Sequence, residues 1–368
     1  MKVRVCSSVA LGILWPLVSL VTGGCTRPVD HYGVDDFRKV RKIDAHVHDN
    51  VADPVFEAIA REDGFRILSI NVDYPDFPSA DSQLAVARLK LSESPDVFAF
   101  ASTFLMKGFD DPGWIGRTEA HLDSTLAEGA VSVKFWKNIG MVYRDAAGKF
   151  VMINDPRLQP LFVHLARGGV PIVNHTGEPR DCWLPVEKMM SNDMKDYFSH
   201  HPQYHMYLHP DMPSYEDQIR ARDSMLSNNP DLRVMGAHLG SLEWSVAAIE
   251  SLLVHHPNIV VDIAARIDYL QIQSQHNWDG VRRLFCDHPD RILYGTDMVL
   301  NPGDSIAGFR QGAHEKWFSD WEYLATDSTL TLANVSGPVK GLALPREVID
   351  KVYCLNAERM FPRAWKGR

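Results

Sequence analysis

The chain has 368 residues, of which 45% are hydrophobic and 23% charged. That is the balance of a globular protein with a large core, and it excludes a disordered chain, a collagen-like fibre and a polytopic membrane protein. The formal net charge of −9 disfavours nucleic acid as a partner, because a phosphate backbone selects a basic face. Five cysteines (Cys6, Cys25, Cys182, Cys286, Cys354) are too few and too scattered for a disulfide framework or a thiolate zinc cluster.

Lys2 and Arg4 open the chain, and an apolar run follows from Val5 to Val21, then Thr22-Gly23-Gly24-Cys25. A positive start, an apolar middle and small residues before a cut site predict a secretory signal over residues 1–24. Pro16 and the glycine pair argue against a membrane span. Gly-Gly-Cys resembles the lipidation site of bacterial lipoproteins. The resemblance implies lipidation at Cys25 and a protein held at a bacterial cell envelope membrane. An ordinary cleaved signal with an incidental cysteine is the alternative. Residues 25–38 are polar, with Pro28 and Gly33, and read as a tether. Residues 39–368 read as one domain.

Short apolar or β-branched runs then alternate with helical patterns. The predicted strands are Lys42–His48, Arg66–Val72, Val97–Thr103, Val131–Trp136, Pro171–His175, Arg233–His238, Asn258–Ala264 and Arg291–Thr296. Helices are predicted over Asp53–Arg61, Ser79–Leu91, Gly116–Ala127, Asp155–Arg167, Ser214–Ser227, Glu243–His255 and Trp278–Asp287. Asp53-Pro54 and Asp155-Pro156 supply acidic caps with proline at the first helical position, and Ser214 with Asp217 fits a capping box. Alternation of this kind gives a parallel sheet with helices outside it, and eight repeats fit an α/β (β/α)8 TIM barrel. A doubly wound sheet is the rival, but no GxGxxG follows the first strand. Two short helices are expected over Leu344–Phe361.

The chemistry is read from the strand ends. In Ile43-Asp44-Ala45-His46-Val47-His48, alternation places Asp44, His46 and His48 on one face and Ile43, Ala45 and Val47 on the other. The polar face would point into the barrel, with both imidazoles at the C-terminal end, where such barrels carry their chemistry. His175, His238 and Asp297 end three further strands. Nitrogen and carboxylate donors without thiolate suit Zn²⁺, with Mn²⁺ or Fe²⁺ as alternatives.

His46-Val47-His48, His175, His238 and Asp297, each on the strand named, resemble the amidohydrolase superfamily. Gly236-Ala237-His238-Leu239-Gly240-Ser241, Tyr294-Gly295-Thr296-Asp297 and the closing Asn356-Ala357-Glu358-Arg359-Met360-Phe361 are most similar to its amidohydrolase-related branch, which holds metal-dependent hydrolases, lactonases and decarboxylases. The resemblance implies that His46, His48, His175 and Asp297 hold an essential ion. It also implies that Asp297 and His238 are catalytic, the latter orienting substrate or becoming a ligand in a two-metal site.

Strand four places Ser132, Lys134 and Trp136 inward. In two-metal members of the superfamily this lysine is carbamylated and bridges both ions; otherwise Lys134 is a free ammonium touching a substrate carboxylate or Asp44. One ion or two are both open. The stretch after strand five runs to roughly forty residues where a handful is usual. It is rich in aromatic and histidine side chains, as a partial lid or substrate wall would be. Trp136, Arg180 and Arg266 are candidate substrate-binding residues, although either arginine could instead be an ordinary salt-bridge residue.

The expected activity is hydrolysis of an amide, ester or lactone bond in a small polar molecule by metal-activated water. Non-oxidative decarboxylation of an aromatic or enol acid and a non-catalytic envelope binding lipoprotein are the alternatives. Homo-oligomerisation is left open.

Overall fold

The computed structural model describes residues 30–365; the predicted signal, most of the tether and Cys25 lie outside the described residues. The domain begins earlier than residue 39. Phe37 is 3% exposed and packs edge-on against Phe318 and Trp321, and the Tyr32 hydroxyl donates to Asp350 (2.9 Å). Two rings spaced along a polar stretch find apolar surface, so residues 31–38 are bound to the body rather than free.

The strands are β1 (Lys42–Asp49), β2 (Phe65–Ile70), β3 (Phe98–Ser102), β4 (Ser132–Phe135), β5 (Ile172–Asn174), β6 (Val234–Gly236), β7 (Ile259–Asp262), β8 (Ile292–Leu293) and a further strand β9 (Met298–Leu300). All pair in parallel, in the order β8-β7-β6-β5-β4-β3-β2-β1-β9. The segment between β8 and β9 bonds to β1 as well: Ala45 N donates to Tyr294 O (3.0 Å) and Asp297 N to His46 O (2.7 Å). The two ends of the sheet thus meet at β1, and the α/β architecture is that of a TIM barrel. β8 is shorter than the predicted Arg291–Thr296, because Asp297 takes a left-handed conformation (φ 65°) that ends the extended run.

Side chains such as Ile67, Phe100, Val133, Ile172, Val234 and Val261 face outward and pack on the helices. Leu68, Ile70, Ala99, Val173, Met235 and Leu293 fill the interior, where Phe361 and Trp365 of the C-terminal segment join them. Trp365 Nε1 donates to Val97 O, just ahead of β3, so this segment closes the N-terminal end of the barrel.

Alternation along β1 is broken, and the expected face assignment changes. Asp44 pairs with Ile67 but Val47 with Ser69, so β1 advances three residues while β2 advances two. The extra residue is a bulge. Ahead of it, Ile43 and Ala45 belong to the interior cluster, and Asp44 points outward, accepting from Trp317 Nε1 (2.8 Å), Thr296 N (3.1 Å) and Thr296 Oγ1 (2.6 Å). Beyond it, Val47 packs outward and His46 and His48 face in.

Helix caps follow the sequence. The Asp155 side chain accepts from Arg157 N, and Ser214 with Asp217 forms a capping box. The predicted helix over Trp278–Asp287 is the second half of one spanning Ile267–Asp287, interrupted at Asn277. The Ile306–Ala325 helix has no counterpart in the sequence reading. Gly308 and Gly312 weaken its local propensity, and it is secured instead by a Ser305 cap and by Trp317 and Trp321, both fully buried. The stretch after β5 holds a helix (Asn192–His200) and four single 3-10 turns, with its own small core around Cys182, Met189, Phe198 and Met206. Among the described residues no helix is long and apolar enough to cross a membrane.

Candidate metal centre

Each imidazole at the barrel mouth is tied by one nitrogen and presents the other. His46 Nδ1 donates to Asp262 Oδ2 (2.8 Å), His48 Nδ1 to Ile70 O (2.6 Å), and His238 Nδ1 to Ala264 O (2.8 Å). Carbonyl and carboxylate oxygens only accept, so the proton sits on Nδ1 and Nε2 keeps its lone pair. These three Nε2 atoms face one carboxylate. His46 and His48 lie 3.4 and 3.1 Å from Asp297 Oδ1, and His238 lies 4.0 Å from Oδ2. His238 Nε2 is buried without a hydrogen-bond partner. Lys134 Nζ stands 3.2 Å from His46 Nε2. His175, at the end of β5, sets its ring edge-on to His238, with centroids 4.3 Å apart.

The backbone here is unusual. Among the described residues seven non-glycine positions have positive φ, and five of them follow β6, β7 and β8: His238, Leu239, Ser241, Ala265 and Asp297. Gly240 shares the left-handed turn. The Asp262 carboxylate braces it, accepting from His238 N (2.7 Å) as well as from the His46 ring. Strain of this kind persists only where the surroundings over-determine it. Gly295 makes room for His46: a Cβ there would lie 3.0 Å from His46 Cβ.

Burial sets the protonation states. It pushes His238 down to about 3 and lowers His48 and His175, so these imidazoles are neutral. Burial lowers Lys134 to about 8. Neutral imidazoles aimed at an ionised carboxylate form a cation's donor set, and the His46, His238 and Asp297 donor atoms lie within 4.8 Å of one another. The orphaned His238 nitrogen would gain a partner on binding, so these residues fit a divalent ion.

The structure therefore gathers His46, His48, His238, Asp297 and Lys134, with His175 against them. Trp136 lies beside this group, in the wall of a cavity of about 400 Å³ that Tyr197 and Tyr204 of the long insert also line. Arg180 lays its guanidinium over the Trp244 ring (4.1 Å), and its backbone N–H donates to Glu243. Arg266 is 8% exposed, its Nη1 donates to Ala265 O, and its Nε has no partner. Asp262 was missed. It shares strand parity with Val260, which packs on the interior cluster, so the same reading that turned Lys134 inward could have found it.

No curated protein matches the chain. Among solved structures, 2,6-dihydroxybenzoate decarboxylase from Rhizobium is 14% identical and covers 88% of this chain and 99% of its own, with a TM-score of 0.51. A 2,6-dihydroxybenzoate decarboxylase complexed with 2,6-dihydroxybenzoate is 13% identical with the same coverage and a TM-score of 0.50. A probable 2-pyrone-4,6-dicarboxylic acid hydrolase from Acinetobacter baumannii is 11% identical, again over 88% and 99%, with a TM-score of 0.47. A family model described as Amidohydrolase matches residues 32–363, nearly the whole described body, and the chain belongs to that family.

Proposed function

We propose that the protein is a metal-dependent hydrolase acting on an amide, ester or lactone bond of a small molecule. The observation that carries this reading is the convergence of the His46, His48 and His238 Nε2 atoms on Asp297. His46, His48, His175 and Asp297 would hold the ion, Zn²⁺ by donor chemistry with Mn²⁺ or Fe²⁺ as alternatives. Such an ion supplies Lewis acidity, polarising a carbonyl and easing loss of a proton from water. Asp297 accepts that proton through whichever oxygen is not engaged, and later returns it to the leaving group. His238, neutral and tethered through Nδ1, orients the substrate oxygen through Nε2 or, in a two-metal site, becomes a ligand itself. Lys134 is a free amine beside Asp297 or, if carbamylated, adds a carboxylate and a second ion. Metal content together with intact mass under CO₂-rich, non-denaturing conditions decides between the two.

A second reading keeps these residues and changes the reaction to decarboxylation. It is favoured by the aromatic cavity beside the cluster. There the C–CO₂ bond breaks, CO₂ leaves, and Asp297 or His238, having first taken up a proton from solvent or from a substrate hydroxyl, delivers it to the carbon. The test is a panel of amides, esters and lactones run beside a CO₂-release assay on metal-loaded protein. Hydrolysis without CO₂ release supports the first reading, CO₂ release the second, and neither with any metal supports a binding protein. We also propose envelope anchoring through Cys25; an unchanged membrane fraction for Cys25→Ala would refute it.

A further inference from the structure

The cavity beside the metal cluster has a chemistry of its own. A row of packed rings runs from the cluster to its wall: His48 to Phe77 (5.2 Å between centroids), Phe77 to Tyr74 (5.2 Å), and Tyr74 to Trp136 (4.9 Å). Two of its walls are aromatic. Tyr74 and Trp136 come from the ends of β2 and β4, and Tyr197 and Tyr204 come from the insert, with near-parallel rings 6.5 Å apart. His201 stacks on one face of Tyr197 (4.4 Å between centroids), and Tyr197 and Tyr204 remain 38% and 42% exposed.

The same walls carry Asp73, Asp76 and Glu178 against one cation, Lys137. Lys137 is committed to Glu178. Asp73 accepts from the Asn138 amide (3.3 Å), and Asp76 lies beside Tyr74. Among the described residues neither aspartate is paired with a basic side chain. Two uncompensated carboxylates would repel an anionic substrate group. A neutral group would gain from the rings but nothing from the charge. A soft organic cation gains from both, because ring faces carry negative potential.

We propose that this cavity binds an alkylammonium or quaternary ammonium group of the substrate, with the reacting bond laid toward His238 and Asp297. The proposal rests on the metal-dependent reading above and names the substrate class for it.

The test uses the full chain and choline as probe, with its neutral isostere 3,3-dimethylbutan-1-ol as control, by titration calorimetry with and without metal. Choline should bind at least tenfold more tightly than the isostere, equally well in metal-depleted protein. Tyr197→Leu and Asp73→Asn should each weaken binding at least fivefold, while Tyr197→Phe, which keeps the ring face, should restore it. Tyr197 is on an exposed helix face, so its variants should fold. Isostere binding within twofold of choline, no choline binding at millimolar concentration, or equal binding by the Leu and Phe variants would overturn the proposal. Failure of the hydrolase reading is separate: it would abolish turnover of neutral substrates and leave choline binding intact.

Discussion

The two ends of the barrel interior are built on opposite terms. At the N-terminal end Leu68, Ala99, Val173 and Leu293 meet Phe361 and Trp365, and side-chain contacts there are mainly apolar. At the C-terminal end the interior holds His46, His48, His238, Asp262 and Lys134, all buried, around the partly open Asp297, on a backbone with several left-handed residues. One end stabilises by excluding water. The other concentrates desolvated polar groups, which costs stability unless each is paired or engaged by a ligand. The closed end lets the open end carry that cost.

The comparison breaks most sharply at the base. Phe361→Ala removes a fully buried ring and should destabilise by about 3–5 kcal/mol in denaturant titration. Turnover per folded molecule should not change, and a matching loss of turnover would show that the ends are not separable. At the mouth, Asp297→Asn should keep the melting temperature and much of the metal yet lose at least roughly a hundredfold in turnover. Metal-loaded variant within a few-fold of wild type would refute Asp297 as proton acceptor. Asp262→Ala loses the acceptor that fixes the His46 tautomer, so metal affinity should fall about 10–100-fold, with turnover recovering at saturating metal; unchanged affinity counts against that role. The smallest effect concerns pH. Burial lowers the His238 imidazole to about 3, against about 6.5 unfolded. Between those values the unfolded chain binds more protons, so stability is lost as pH falls through that window. Metal-depleted wild type should therefore lose melting temperature on acidification more steeply than His238→Asn, and parallel curves would refute this.

The strand and helix order was legible because each β/α unit carries its own apolar run and cap, as at Asp155-Pro156 and Ser214. The His46, His48, His238 and Asp297 cluster was legible because strand ends in a parallel barrel share one mouth. What could not be read depended on tertiary context. The helix at Ile306–Ala325 is held by buried tryptophans rather than by propensity. The bulge in β1 adds a residue that no local pattern announces, and the orientation of Asp44 changed with it.

That bulge also joins the periphery to the reaction centre. Asp44 grips Trp317, on an outer helix, with the same carboxylate that holds Thr296, the residue before Asp297. The outer helix therefore acts as a strut for the reactive carboxylate, transmitting its position through a single shared anchor. Sequence drift at Trp317, well away from any substrate, would be felt as a loosening of Asp297. The family's chemistry at the mouth is thus tethered to a helix on the outside of the barrel.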